Sequence, residues 1–114
     1  MKNKKQNLGA VGEAKAVNYL KKNGYKILAT NFSTFAGEID IIAQKNLDYI
    51  FVEVKTRSSY AFGLPQEAVN FKKQRNIQNS ADIFFKINRI YDPNFRFDII
   101  EIVGEEINHI EGAF

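Results

Sequence analysis

An α/β domain built on a mixed sheet is what this sequence predicts, and three features carry the expectation. Two segments have helical composition, one before and one after a block of three apolar runs of strand length. Those runs are joined by short polar turns, the pattern of an antiparallel meander. One or two further strands follow the second helix. Helices bury their apolar stripes most simply against the faces of one sheet. At 114 residues the chain is the size of one domain with one core, so 1–114 is taken as a single unit.

Residues 1–7 are polar and basic, as expected of a frayed end. From Leu8 to about Asn23, Ala10, Ala14, Ala16 and Leu20 favour helix, and Gly24 stands at the position that ends one. "YKILATNF" is expected as a first strand, "STFAG" as a turn, "EIDIIAQ" as a second strand, "KNLD" as a turn and "YIFVEVKT" as a third strand. "RSSYAFGLPQEAV" is expected as a loop ending at Pro65, a residue suited to starting a helix. The second helix is placed at about Gln66 to Lys86, and "NRIYDPN" connects it to the strand "FRFDIIEIVG". "EINHIEGAF" fits a short edge strand.

Composition removes several kinds of chemistry. There are no cysteines, so disulfides, thiolate metal sites and cysteine nucleophiles are excluded. A single histidine, His109, cannot build a histidine metal cluster. Any bound metal would then take oxygen ligands, which points to Mg²⁺ or Mn²⁺ rather than zinc. No apolar stretch is long enough to cross a membrane, and no signal-peptide core follows the basic start, so a soluble, cytoplasmic protein is expected. The net charge of +3 and a pI near 9.1 give mild support for an anionic partner.

The charged residues inside the strands are the informative ones. In "YIFVEVKT", Ile50, Val52 and Val54 point one way, while Phe51, Glu53 and Lys55 point the other. Glu38, Asp40 and Ile42 share a face of the preceding strand. If the two strands pair, Asp40 and Glu53 can lie side by side, and their repulsion raises one pKa unless a cation sits between them. Lys55 would reach the same spot. An ordinary half-wet sheet also alternates in this way, but Asp is a poor strand residue.

The helices add to this. At about 100° per residue, Gly9, Gly12, Ala16 and Leu20 share a narrow face, and Glu13 falls on that side. Glu13 is thus expected to face the sheet, with the small residues allowing close approach. On the second helix Val69, Ile77, Ala81 and Phe84 form the apolar stripe. Lys73 and Gln74 flank it, and Lys72, Lys73 and Arg75 make a basic cluster about one turn long. A solvated face is the ordinary meaning of such a run.

Together these pieces resemble the PD-(D/E)xK, or restriction-endonuclease-like, nuclease superfamily. More closely, the chain is similar to the YraN-like family of small bacterial proteins, which resemble archaeal Holliday junction resolvases in fold. The matching segments are "GAVGEAKAVNYLKKNGYKIL" from Gly9, "GEIDIIA" from Gly37, "FVEVKTR" from Phe51, "AVNFKKQ" from Ala68 and "RFDII" from Arg96. They cover nearly the whole chain. One departure is Ile39, where the superfamily pattern has proline before the acid.

The resemblance implies an α/β/α core with a mixed sheet of four to five strands flanked by helices. It implies Asp40 and Glu53 as metal ligands, the Val54 carbonyl at the edge of the site, and Glu13 holding the metal or its water. Lys55 would orient or deprotonate the attacking water, and Gln74, with Lys73, would contact the site from the second helix. Arg57, Lys72, Lys73 and Arg75 would bind flanking phosphates of DNA. Tyr60 and Phe62 in the loop would stack on a base or cover the site.

The function expected is a metal-dependent DNA endonuclease, using Mg²⁺ or Mn²⁺ and acting on branched or otherwise structured DNA. A nucleic-acid-binding module with the same fold and no activity is the alternative. A protein-interaction domain in which these charges form a structural ion network is a third. A homodimer is plausible because cutting two strands calls for two symmetry-related sites.

Overall fold

The computed structural model describes residues 4–57 and 69–114. Its elements run α1 (Lys4–Lys22), β1 (Lys26–Thr34), β2 (Gly37–Lys45), β3 (Asp48–Arg57), α2 (Phe71–Ile87), β4 (Asn94–Val103) and β5 (Glu106–Ile110). The strands form one five-stranded sheet in the order β1-β2-β3-β4-β5. β3 and β4 run parallel, and the other neighbours are antiparallel. The parallel step requires a crossover, and α2 lies within it. The expected mixed sheet is present, and the C-terminal segment does supply its edge strand.

Both helix starts differ from expectation. α1 begins at Lys4 rather than Leu8. No Gly or Pro interrupts residues 4–7, and Lys and Gln are good helix formers. α2 begins at Phe71, later than Gln66. Its N-cap is Asn70, in extended backbone, whose side-chain oxygen accepts the Lys73 N–H at 2.9 Å. Pro65, Tyr60 and Phe62 lie outside the described residues. The end of α1 is as expected: Gly24 has a φ of +86°, and the Tyr25 N–H closes on the Leu20 carbonyl at 3.0 Å.

The sheet has two apolar faces, and the helices take one each. Ala16 and Leu20 of α1 pack with Ile41, Ala43, Ile50, Val52, Ile100 and Ile102. Ile77, Ala81, Phe84 and Phe85 of α2 pack with Ile39, Ile42, Phe51 and Phe97 on the other side. The expected alternation along β3 therefore holds, and it directs Glu53 and Lys55 to the α2 side.

α1 approaches β3 very closely at Gly12. A Cβ added there would stand 2.0 Å from Thr56 Oγ1. Gly9 meets nothing within 4 Å, so it does not serve the close approach expected of it. It lies one turn nearer the N-terminus, where the helix has risen clear of β3.

Gly12→Ala is therefore expected to destabilise the fold, although alanine is the better helix former by about 1 kcal/mol. Overpacking against a stiff β-branched side chain costs about 1–3 kcal/mol, so thermal unfolding should shift down by several degrees. Adding Thr56→Ala should restore most of it, and a stabilised single variant would contradict the close packing.

Candidate active site

The site begins where two strands part. β2 and β3 are paired from Lys45↔Asp48 to Ile41↔Val52. The next step would set Asp40 opposite Glu53, but the ladder stops there. The Asp40 carboxylate takes over as acceptor: the Val54 N–H donates to Asp40 Oδ2 at 2.8 Å. On the other side of β2, the β1 ladder passes from Thr30↔Ile41 to Phe32↔Ile39 without an Asn31–Asp40 step. Asn31 has a φ of +51°. Ile39 and Ile42 both join the α2 face, whereas Ile41 and Ala43 join the α1 face. Strict alternation is thus interrupted at Asp40, a local irregularity that frees its side chain from the regular pleat.

Glu53 is buried beside this opening and holds two cations. Lys73 Nζ lies 2.6 Å from its Oε1, and Lys55 Nζ lies 3.6 Å from the same atom. A small cleft of about 190 Å³ is lined by Gly37, Glu38, Asp40, Glu53, Lys73, Asn76 and Ile77. Gly37 brings the β1–β2 turn against α2 to form its wall. Its φ is +151°, and an added Cβ would reach Asn76 Cβ at 3.0 Å.

Electrostatics follow from this crowding. Burial first, and then the Glu53 charge, push the Asp40 carboxyl up to about 7, against the one N–H from Val54 that opposes them; Glu13 adds to the rise. Burial and the neighbouring Lys73 ammonium hold the Lys55 amine below the usual lysine range. Burial acts to lower Lys73 as well, but its hydrogen bond to Glu53 and that charge outweigh it, and Lys73 sits above the ordinary value.

Several expected site residues are placed differently. Gln74 donates its amide Nε2–H to the Val69 carbonyl at 2.9 Å, turned back to the start of its own helix. Lys73, one residue earlier, lines the cleft with Asn76 and Ile77. The two side chains leave α2 about 100° apart, and Lys73 is the one of the pair that reaches Glu53. Lys73 accordingly leaves the outer basic cluster, in which Lys72 and Arg75 remain exposed. Arg57 is not a free phosphate contact: its Nε lies 3.4 Å from Glu101 Oε2, and its side chain is largely buried.

Glu13 does not line this cleft; it stands between α1 and β1 with Ala10, Ala14, Val17, Thr30 and Asn31. Its Oε1 accepts the Asn31 Nδ2–H at 2.7 Å. It is close enough to raise Asp40, yet among the described residues no three His, Cys, Asp or Glu side chains are grouped as a metal cage. The donors that fit a cation are then Asp40 and Glu53. Two carboxylates facing a cleft suit a hard divalent ion that keeps several waters and takes phosphate oxygens from a substrate. A strand residue directs its N–H and C=O to the same edge, so the Val54 carbonyl is turned toward that opening too.

Sequence reasoning missed Asn31 and Glu101. Asn31 carried a signal, since asparagine is rare within a strand and tolerates left-handed backbone. Glu101 sits on β4 opposite Lys55 and is fully buried. Neither of its oxygens has a hydrogen-bond partner among the described residues. Burial raises its carboxyl, and the Arg57 charge opposes that.

Fold and site together define a small mixed-sheet α/β domain with a carboxylate–lysine cluster at an opened strand edge. The profile of the family described as "Uncharacterised protein family UPF0102" matches residues 12–102. A UPF0102 protein of Alkaliphilus oremlandii is 54% identical over 113 residues, covering 94% of this chain and 97% of the relative. Others from Acetivibrio thermocellus and Clostridium beijerinckii are 49% and 45% identical, covering 99% and 100% of this chain and 95% and 98% of theirs. The chain belongs to the UPF0102 (YraN) family, as its motifs led one to expect.

The Asp40 environment makes stability depend on pH. An acid with a raised folded pKa binds its proton more tightly in the folded state. Stability therefore falls as pH climbs from about 4, the unfolded value, through the folded value of about 7, and the loss is complete above it. Asp40→Asn keeps an oxygen for the Val54 N–H without the charge. It is expected to raise the melting temperature by about 5 °C or more at pH 8 in chelator, and to change it little at pH 4. A gain independent of pH would contradict the repulsion.

Proposed function

We propose that this protein is a metal-dependent endonuclease that hydrolyses phosphodiester bonds in structured DNA. The observation that carries the reading is the meeting of Asp40 and Glu53 at an opened strand edge, with Lys55 and Lys73 beside them. A purely structural role would leave repelling carboxylates at a cleft without purpose, whereas a cation between them removes the repulsion. In this reading Asp40 and Glu53 hold a divalent cation such as Mg²⁺ or Mn²⁺, with Val54 offering its carbonyl. The bound ion supplies neutralisation of phosphate charge and a more acidic water.

The side chains supply the rest. Lys55 has its pKa lowered by burial and by Lys73, which suits it to accept a proton from the attacking water and then to face the charge growing on phosphate. Lys73 neutralises Glu53 and competes with the cation for the same oxygen, so it becomes free to meet phosphate when the cation takes Glu53. Asn31 holds the Glu13 carboxylate, and Glu13 adds its charge to the field at Asp40. Lys72 and Arg75, exposed on the outer side of α2, would contact flanking phosphates without reading bases.

The reading is tested by cleavage of linear, single-stranded, flapped and four-way DNA in Mg²⁺ or Mn²⁺. Nicking of at least one substrate is expected, and Asp40→Ala, Glu53→Ala or Lys55→Ala should reduce it by about 100-fold or more. Absence of cleavage across the panel with both metals would overturn it.

Competition at Glu53 gives a separate measurement. Lys73→Met should tighten Mn²⁺ binding, followed by calorimetry, by about tenfold, or ~1.4 kcal/mol. Unchanged or weaker binding would show that Lys73 does not share its place with the ion.

A further inference from the structure

Asn76 lines the cleft from the middle of α2, half-buried, and among the described residues its side-chain amide makes no hydrogen bond. Asparagine is a weak helix former because its amide competes for backbone groups. Elsewhere the chain uses that tendency. Asn23 and Asn88 donate to the carbonyls of Tyr19 and Phe84, Asn31 donates to Glu13, and Asn70 caps α2. Asn76 does none of these things.

The side chain is nevertheless held at its base. Thr34 Oγ1 accepts the N–H groups of Ala36 and Gly37 at 3.0 and 3.2 Å and lies 2.9 Å from the hydroxyl of fully buried Ser80. These bonds fix the β1–β2 turn on α2. Asn76 Cβ closes the space in front of Gly37, 3.0 Å from where a Cβ would stand. The root of Asn76 is thus pinned in the cleft wall, and its amide is left over for whatever the cleft receives. Lys73 precedes it by three residues, so the two share a face of α2, about 4.5 Å apart along the axis. Around them the cleft is ionic, with Asp40 and Glu53 opposite Lys73.

We infer that Asn76 is a substrate-binding residue whose amide N–H donates to a non-bridging oxygen of the phosphodiester that enters the cleft, alongside Lys73. The inference rests on the nuclease reading for the identity of the substrate and adds the group that orients it. A lysine attracts phosphate as a point charge and leaves its rotation free. A planar amide is directional, and a neutral N–H bonding to a charged oxygen is stronger than a bond between two neutral groups. An amide also adds no charge to a site already crowded with it, so it does not compete with the cation at Glu53 as Lys73 does.

The test reads the amide itself by NMR. The dithymidine dinucleotide TpT, which carries one phosphodiester, is titrated into the nitrogen-labelled full chain in Ca²⁺. The Asn76 side-chain N–H pair is identified by its loss in Asn76→Ala. It is expected to move with TpT and to stay still with thymidine, which has the same base and no phosphate. Asn76→Ala should bind TpT roughly tenfold more weakly, followed at the Gly37 backbone N–H. The variant should unfold at or above the wild-type temperature, since alanine is the better helix former, so weaker binding is not a loss of fold.

An Asn76 amide that stays still while Gly37 responds would overturn the inference. So would an equal response to thymidine, wild-type affinity in the alanine variant, or a cleft that does not respond to TpT at all. Failure of the nuclease reading is distinguishable: DNA is then not cut in Mg²⁺ or Mn²⁺, yet the Asn76 amide still answers to TpT and its loss still weakens binding.

Discussion

The hydrogen bond from the Val54 N–H to the Asp40 carboxylate is the constraint on which the site depends. A sheet that opens between two central strands leaves backbone groups without partners, and such groups are costly when buried. Beyond Ile41↔Val52 the β2 backbone no longer serves β3. A side-chain acceptor must replace it, and Asp is short enough to do so from the very next residue. The replacement keeps β3 satisfied while β2 bends away. It also places a carboxylate at the mouth of the gap, beside Glu53. This structural need explains why a poor strand former stands within the apolar run Ile39–Ala43.

From that opening the rest of the arrangement follows. β3 continues past the point where β2 leaves it, still paired in parallel to β4 as far as Arg57↔Val103. Glu53 and Lys55 therefore lie on a strand supported from one side and approachable from the other. α2 returns over this face because a parallel step to β4 needs a crossover, and its first turns end beside the opening. That is how Lys73 reaches Glu53 across twenty positions of sequence. α1 lies on the opposite face, with Gly12 close against Thr56, and its Glu13 accepts from Asn31 of β1.

Much of this was legible in the sequence because period-two patterns are local. Phe51, Val52, Glu53 and Val54 announce their faces from spacing alone, and Gly24 announces a helix end. The start of α2 was not legible, because Pro65 and Asn70 are both plausible openers, and spacing alone set Lys73 and Gln74 equally beside the apolar stripe. The interruption at Asp40 was not legible either, since a two-residue period assumes an unbroken pleat, and Asn31 gains its meaning only from that interruption. Arg57 looked like a surface cation because its partner, Glu101, arrives from a strand more than forty positions away. Apart from the start of α2, what escaped notice was a long-range contact or a departure from regular geometry.

Asp40 and Asp98 are two acids of one sheet in opposite surroundings. Both sit on inner strands of the same sheet, and burial pushes both carboxyls upward. Asp98 answers with a full set of donors: Arg96 Nε at 2.9 Å, His109 Nε2 at 2.7 Å and the Gly112 N–H at 3.0 Å. These hold it below the usual carboxylate range and tie the C-terminal segment to the sheet. Tyr19 extends the network through His109 Nδ1 at 3.0 Å. Asp40 has one backbone donor, and its other close neighbours are acids or a lysine already bound to Glu53. A fold able to satisfy Asp98 so completely has no difficulty supplying donors. At Asp40, at the edge of a cleft, it supplies one backbone donor, and burial with the Glu53 charge holds that carboxyl up near 7.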